Sequence, residues 1–465
     1  MSEKYLIFGA TGSIGSSLAE LLKNSGNDIH LVARNEMEVG SIAEKLGCTF
    51  TVADVLEDGF IKKNINCEID IIEKLFCPYG LIRFGVAPDH QSTKNVSRVF
   101  ERVLNNPNVE FFGGVEINDY PSINEILEIY DSVVIATGMA KDRVLNINEK
   151  NKTGYFGATQ FVNWYNGHPE YKNLNPCLNT DTAIIIGNGN VAIDCARILV
   201  KTIKELESTD ITKYAIDTLK NSSIKNIYII GRRGPLDAKF TTVEIREMGE
   251  LLDCDTILSP GTKNNIDKKL LDGDLAKQYR ILTSFDETKP KNSNKSKTVE
   301  FKFHLSPTGF IGENEITGLK FKNNLSSNED CITINAGLVI SAIGYQGDEI
   351  TGLKSDESGM IIHKNNIIED RLYAAGWVSR GPSGVIGTNK HDGARVAEHI
   401  ENNVKSKNSS GREGLKKLLN LKNKKYISKE QWFKIDQEEI KRANKSSPRI
   451  KFTSHEDVFN FIDSI

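Results

Sequence analysis

Short apolar strands alternate with amphipathic helices along most of this 465-residue chain, the pattern of an α/β protein with parallel sheets. Two observations sharpen the prediction. Thr182-Ala-Ile-Ile-Ile runs directly into Gly187-Asn-Gly189-Asn-Val-Ala192, the strand, turn and helix start of a Rossmann-like unit. Tyr5-Leu-Ile-Phe-Gly9-Ala-Thr-Gly12-Ser-Ile-Gly15 gives a second such start at the N-terminus. The expected fold class is two Rossmann-like nucleotide-binding domains with an extra N-terminal βαβ segment. At roughly 150 residues per domain, the length accommodates this.

The order of elements divides the chain. Residues 1–65 form the βαβ segment. Residues 66–145 and 336–465 form one discontinuous domain, and residues 146–335 form the second, inserted within it. The insertion Lys289 to Lys297 is rich in Lys, Asn, Ser and Pro and reads as a solvated loop. The tail from about Lys405 is strongly charged and helical in pattern, and Trp432 and Phe433 are expected to dock it onto the body.

A formal charge of −3 argues against a nucleic-acid binder, whose domain would be strongly basic; an acidic partner would need a local basic patch. The seven cysteines form no C-x-x-C pair and no metal-ligand spacing with histidine, so free thiols in a reducing compartment and no metal site are expected. No apolar run approaches the roughly 20 residues that span a bilayer. The first strand starts within a few residues of the N-terminus, leaving no room for a cleavable leader. The expected location is the cytoplasm.

In the Gly187 unit, the first glycine makes the tight turn and Gly189 lets backbone approach a pyrophosphate. Ala192 permits close helix–strand packing, and the helix N-terminus supplies amides and partial positive charge. A lone match of this kind also occurs as plain structure. The next strand, Asn226-Ile-Tyr-Ile-Ile230, ends in Gly231-Arg232-Arg233-Gly-Pro235. A carboxylate here would meet the ribose 2′-hydroxyl of NAD, whereas two guanidiniums suit the 2′-phosphate of NADPH. A solvated basic turn is the plain alternative.

A second constellation runs from Glu68 to His90, where a strand ends in Glu73, the ribose-binding position of an adenosine site. A Gly- and Pro-rich loop follows, able to lay backbone against a flat cofactor. The strands Val133–Thr137 and Val339–Ile343 end at Gly138 and Gly344, and Gly376-Trp377 and Gly381-Pro-Ser-Gly384-Val-Ile-Gly387 come later. Singly these are packing features; together they suggest two nucleotides meeting in one crevice.

From about Asp58 to Ile465 the chain resembles the adrenodoxin reductase family of NADPH–ferredoxin reductases. The motifs that carry the resemblance are Glu73 to His90, Phe161-Val-Asn-Trp-Tyr-Asn-Gly167, the Gly187 loop, Thr209-Asp210-Ile-Thr, Gly231 to Leu236, Glu244-Ile-Arg-Glu-Met248 and Gly376 to Ile386. The resemblance implies an FAD domain interrupted by an NADP domain. It implies that Glu73, Gly80, Leu81 and Val86 line FAD, with Trp377 and the backbone of Gly384, Val385 and Ile386 near the isoalloxazine. It places Asn190 and Val191 in the NADP pyrophosphate loop, and Arg232, Arg233 and Glu244 around the 2′-phosphate. His90 and Asp210 match a polar pair near the flavin, with a satisfied interdomain hydrogen bond as the plain reading of His90. The implied partner is a small acidic ferredoxin-type iron–sulfur protein, docking on Lys and Arg of the NADP half such as Arg246. The chain is expected to be a monomer, with the mitochondrial matrix as the family's other location.

The chain departs from that family at its start. The opening strand, G-x-G-x-x-G loop and helix are missing, and Gly59 to Cys67 looks like the tail of the lost helix. The N-terminal segment is instead similar to the start of a short-chain dehydrogenase. That resemblance implies a pyrophosphate cradle of Gly9, Gly12 and Gly15, with Arg34 at a 2′-phosphate and Asp54 at adenine. No tyrosine has Lys four positions later, so the Tyr-x-x-x-Lys pair of a complete short-chain dehydrogenase is absent. Two function classes therefore stand side by side. One is an NADPH- and FAD-dependent reductase of ferredoxin; the other is a flavin-free, redox-silent NADPH-binding mosaic. A third is an NADP-binding regulator whose N-terminal segment also binds a dinucleotide.

Overall fold

The computed structural model describes residues 4–8, 23–24, 28–33, 36–46, 48–52, 67–118, 120–147, 152–264, 272–326, 331–384, 386–443 and 445–465. The chain forms two compact units, Met1–Ile69 with Glu101–Val109, and Asp70–Phe100 with Glu110–Ile465. In the first unit β1 (Lys4–Phe8), β2 (Asp28–Ala33) and β3 (Thr49–Val52) form a parallel sheet in that order, with α1 (Glu36–Leu46) between β2 and β3. Its small core gathers Ile29, Leu31, Val39 and Ala43. Gly9, Gly12, Gly15, Arg34 and Asp54, named above as a possible nucleotide cradle, lie outside the described residues.

The second unit begins with β4 (Ile69–Glu73), the single-turn helices α2 (Gly80–Phe84) and α3 (Gln91–Lys94), β5 (Val109–Gly113) and β6 (Val133–Ile135). Next come β7 (Tyr155–Gly157), α4 (Ala158–Asn166), β8 (Thr182–Ile186), α5 (Asn190–Val200), β9 (Asn226–Ile230), α6 (Thr242–Gly249), β10 (Cys254–Leu258) and β11 (Lys297–Lys302). Leu305–Ile311, Gly318–Asn323 and Cys331–Asn335 are β12, β13 and β14; Leu338–Ser341 is β15 and Leu372–Ala374 is β16. The tail carries α7 (Trp377–Arg380), α8 (Asn389–Asn403), β17 (Ile427–Ser428) and α9 (Lys429–Arg442).

The main sheet has the order β10-β11-β9-β8-β15-β7, parallel throughout. Its central strands are buried on both faces, which is why Thr182–Ile186 and Asn226–Ile230 read as unbroken apolar runs rather than alternating ones. Each fully buried Ile contributes about 1.5–3 kcal/mol, and α5 packs Ala192, Ile193, Ala196, Ile198 and Leu199 onto this sheet at essentially zero exposure. β15 lies between β8 and β7, so a strand expected on the far side of the 335/336 boundary belongs to this sheet. Sequence order could not show that pairing.

Smaller sheets complete the unit. β6 pairs in parallel with β16, and β5 lies between β4 and β17. β12, β13 and β14 form an antiparallel sheet. The tail docks as expected: Trp432 is 1 % exposed and Ile435 fully buried. Among the described residues no helix is long and apolar enough to cross a membrane.

Candidate functional site

The end of β8 turns at Gly187 with φ 129°, and a Cβ there would lie 2.2 Å from the carbonyl oxygen of Ala342. No side chain fits, because the neighbouring strand's backbone occupies the space. Gly189 is the N-cap of α5 and offers no side-chain cap; a Cβ there would meet nothing within 4 Å. The first amides of α5 thus face open space, the requirement for an anion at a helix start. Asn190 braces the turn, its Oδ1 accepting the Thr241 N–H at 2.8 Å, while half-buried Val191 packs on the core. Arg232 and Arg233 follow β9 and are both exposed; Arg233 Nη1 is 3.4 Å from Asp237 Oδ1. These are two exposed cations at the end of the strand next to the Gly187 loop.

His90 caps α3, and its ring meets side chains of α5 and α6. Nε2 is 2.8 Å from Glu247 Oε2 and 3.8 Å from Glu244 Oε2, and Nδ1 is 3.9 Å from Asp194 Oδ1. The fully buried Arg197 binds the cluster together. Its Nη1 lies 2.5 Å from His90 Nε2 and also contacts Glu247; its Nη2 is 2.8 Å from Asp89 and 3.2 Å from Asp194. Burial raises Asp194 well above the usual carboxylate range against the pull of Arg197, and burial likewise raises Glu244. Asp89 goes the other way: burial would raise it, but Arg197 and Lys201 together hold it low. His90, Glu244 and Glu247 bring potential ligand atoms within 4.8 Å of one another. The guanidinium of Arg197 already supplies the positive charge there.

The expected pair of His90 and Asp210 is not formed. Asp210 is 4 % exposed and accepts from Lys94 Nζ at 2.8 and 2.9 Å, Lys451 Nζ at 2.9 Å and Gln91 Nε2 at 3.0 Å. Its partners on α3 are Gln91 and Lys94 rather than His90. Burial works to raise Asp210, but the two ammoniums outweigh it and hold the carboxyl far below its ordinary value. Lys451 is pushed down to about 7, mainly by burial, with Asp210 opposing. The carboxylate on the Nδ1 side of His90 is Asp194, within the helix that follows the Gly187 loop. Its position one turn into an apolar helix is the signal the sequence carries for it. Glu244 likewise directs its carboxylate to Arg197 at 3.7 Å and to His90.

In the stretch expected to line a flavin, Glu73 ends β4 half-buried, with Oε1 accepting the Leu75 N–H at 3.0 Å. Burial raises its pKa against the amides of Leu75 and Lys74. One carboxylate oxygen is thus used locally. Gly80 opens α2 at φ 34°, Leu81 is 37 % exposed, and half-buried Val86 has its carbonyl held by Asn166 Nδ2 at 3.0 Å. Trp377 starts α7, its ring 5.2 Å from that of Tyr345, and its buried Nε1–H has no acceptor. Gly80, Gly138 and Gly344 all turn empty Cβ positions into open space. Gly384 has φ 78°, Ile386 begins a short 3-10 turn, and Val385 lies outside the described residues. An orphaned buried donor, a ribose-type carboxylate and glycine-lined strand ends fit a large planar dinucleotide. Cavities of about 650 and 510 Å³ elsewhere, beside Tyr228 and Lys302 and beside Cys177 and Glu315, include none of these residues.

No protein-family model matches the chain. It is 34% identical over 372 residues to NADPH-ferredoxin reductase FprA of Mycobacterium tuberculosis, covering 76% of this chain and 81% of that protein. Over 446 residues it is 32% identical to the mitochondrial NADPH:adrenodoxin oxidoreductase of Arabidopsis thaliana, covering 86% of this chain and 91% of that one. The solved structure of Mycobacterium tuberculosis FprA in complex with NADPH superimposes with a TM-score of 0.81 at 28% identity, covering 93% of this chain and 98% of the other.

Proposed function

The chain belongs to the family of NADPH–ferredoxin and NADPH:adrenodoxin reductases, and from that premise we propose how its own residues carry the reaction. It is an oxidoreductase that uses NADPH and FAD and passes electrons to a ferredoxin-type iron–sulfur protein. Bound flavin supplies the conversion of one hydride into two single electrons. The protein's part is binding, orientation and proton handling.

The observation that carries the reading is the Gly187 turn beside the Arg232-Arg233 turn. Open amides at the start of α5 take the pyrophosphate, and the two exposed guanidiniums clamp the 2′-phosphate. Glu73 accepts from ribose hydroxyls, Trp377 offers its unpaired N–H, and Gly80, Leu81 and Val86 form the wall beneath the flavin. NADPH and two oxidised one-electron acceptors yield NADP⁺, two reduced acceptors and one proton, so each turnover must release a proton. His90, held by Arg197 and touching the one-third-exposed Glu247, is placed to relay that proton toward solvent. Asp210 is assigned a structural role and Asp194 the place beside His90.

Residues 66–145 and 336–465 are assigned to the flavin half and 146–335 to the NADP half, with β15 completing the NADP sheet. The partner is read as acidic, docking on cations of the NADP half. The seven free thiols support a reducing location such as the cytoplasm, and the chain is taken to act as a monomer. Visible absorption of the purified protein tests the function. Bands near about 370 and 450 nm that bleach on anaerobic NADPH are expected of a flavin reductase. A protein that stays colourless after incubation with FAD would overturn the reading and leave a flavin-free NADPH binder.

A further inference from the structure

We propose that Glu439, on the C-terminal helix α9, is the positioning residue that holds the flavin-lining turn 79–86 in its binding shape. The inference deepens the function proposed above and rests on it. The turn needs outside support. α2 within it has only five residues, too few for a self-sustaining helix. An ion pair supplies part of that support. Arg83, 6 % exposed, donates Nη1 to Glu439 Oε2 at 3.0 Å and Nη2 to Oε1 at 2.5 Å, a two-pronged fork. The same guanidinium lies 5.4 Å from the ring centres of Phe84 and Trp432, so it is stacked as well as bonded.

Glu439 is fully buried and gathers the chain beyond α9 onto the same point. Its Oε2 accepts from Arg449 Nη1 at 3.2 Å and its Oε1 from the Phe452 N–H at 2.8 Å. Lys451, just before Phe452, closes a second tie. Lys451 Nζ donates to the Asn166 carbonyl at 3.0 Å, and the Asn166 side chain donates to the carbonyls of Phe84 and Val86 at 2.9 and 3.0 Å. The C-terminal end of α2 and the residues just after it are thus tied twice to one C-terminal segment. Stability alone does not explain a charge pair here, since apolar side chains of similar volume commonly do as well in a core. What a planar fork adds is a fixed direction. The direction it fixes is that of the turn carrying Gly80, Leu81 and Val86.

The test compares three forms of the full chain: wild type, Glu439→Gln, and the apolar pair Arg83→Met with Glu439→Leu. FAD dissociation constant, the visible band shape of bound flavin, NADP⁺ affinity and Tm are measured for each. Glu439→Gln is expected to weaken FAD at least about tenfold and to alter the flavin band shape, with NADP⁺ affinity within about twofold of wild type. The apolar pair is expected to regain most of the Tm while FAD stays at least about tenfold weaker. If the apolar pair regains FAD affinity together with Tm, or Glu439→Gln binds FAD like wild type, the positioning role is wrong. Should Glu439→Gln fail to fold, Arg83→Lys, which keeps the charge and loses the fork, takes its place with the same expected and overturning results. Wild type that binds no FAD would instead sink the functional reading itself.

Discussion

Asp210→Asn separates two roles that the sequence alone could not separate. The carboxylate is nearly sealed from solvent and is shared by Lys94, Lys451 and Gln91 at 2.8 to 3.0 Å. The asparagine has the same shape but leaves two buried ammoniums facing a neutral amide. Removing one partner of a buried pair costs about 3–5 kcal/mol, and retained amide hydrogen bonds argue for the lower end. At about 2–4 °C per kcal/mol for a large domain, the transition of the second unit should fall by about 6–12 °C. The pH dependence has a definite sign. Asp210 is held below its ordinary value of 3.8, so its contribution is complete above about pH 4 and is lost as the pH falls further. The variant should therefore lose stability at neutral pH and show a flatter acid limb. Calorimetry across pH, with single-turnover flavin reduction on the folded protein, measures both effects. A variant with wild-type Tm and a severely reduced hydride-transfer rate would refute the structural assignment and return Asp210 to the chemistry.

Three further outcomes are expected. Arg232→Ala with Arg233→Ala should raise KM for NADPH at least about 100-fold while leaving KM for NADH within about twofold, since each of the two charge-assisted bonds contributes about 1.5–3 kcal/mol; steady-state kinetics with both nucleotides decide it. Asp194→Asn should gain stability relative to wild type as the pH rises from about 4 toward neutrality. Burial raises Asp194, so its favourable contribution exists below its ordinary pKa and is lost as the pH rises, and urea midpoints at several pH values test the sign. Gly187→Ala should abolish NADP⁺ binding or folding, because φ 129° and a 2.2 Å contact with the Ala342 carbonyl admit no methyl group; NADP⁺ titration monitored by fluorescence is the check.

Much of the dinucleotide site was legible because its parts are contiguous. A buried strand, two glycines, a small residue and a helix all lie within Thr182 to Val200, and backbone geometry dictates each residue type. Arg232 and Arg233 were legible for the same reason, as the residues that close the next strand. Glu73 and the Gly80 turn follow the same logic of strand ends. The wrong partner for His90 shows where such reading stops. Asp194 and Asp210 are both aspartates a short way beyond the loop, and nothing in their local sequence tells which one turns toward residue 90. That depends on how α5, α6 and α3 pack. Helical periodicity places Asp194 on a face, but only the packed neighbours show that the face meets His90.

The sequence by itself determined the α/β class, the Gly187 turn, the two cations at the end of β9, the carboxylate ending β4 and the docking of the C-terminal tail. Local backbone sterics and apolar patterning act over a few residues, so they are written in order along the chain. Tertiary structure alone decided that β15 joins the main parallel sheet and that Arg197 gathers four carboxylates around His90. It also decided that Lys94 and Lys451 meet on Asp210 and that Glu439 reaches back to Arg83. Such pairings cross long sequence separations and form in the low-dielectric interior, where an unpaired charge is costly; which charges end up together is set by the packing of the core around them.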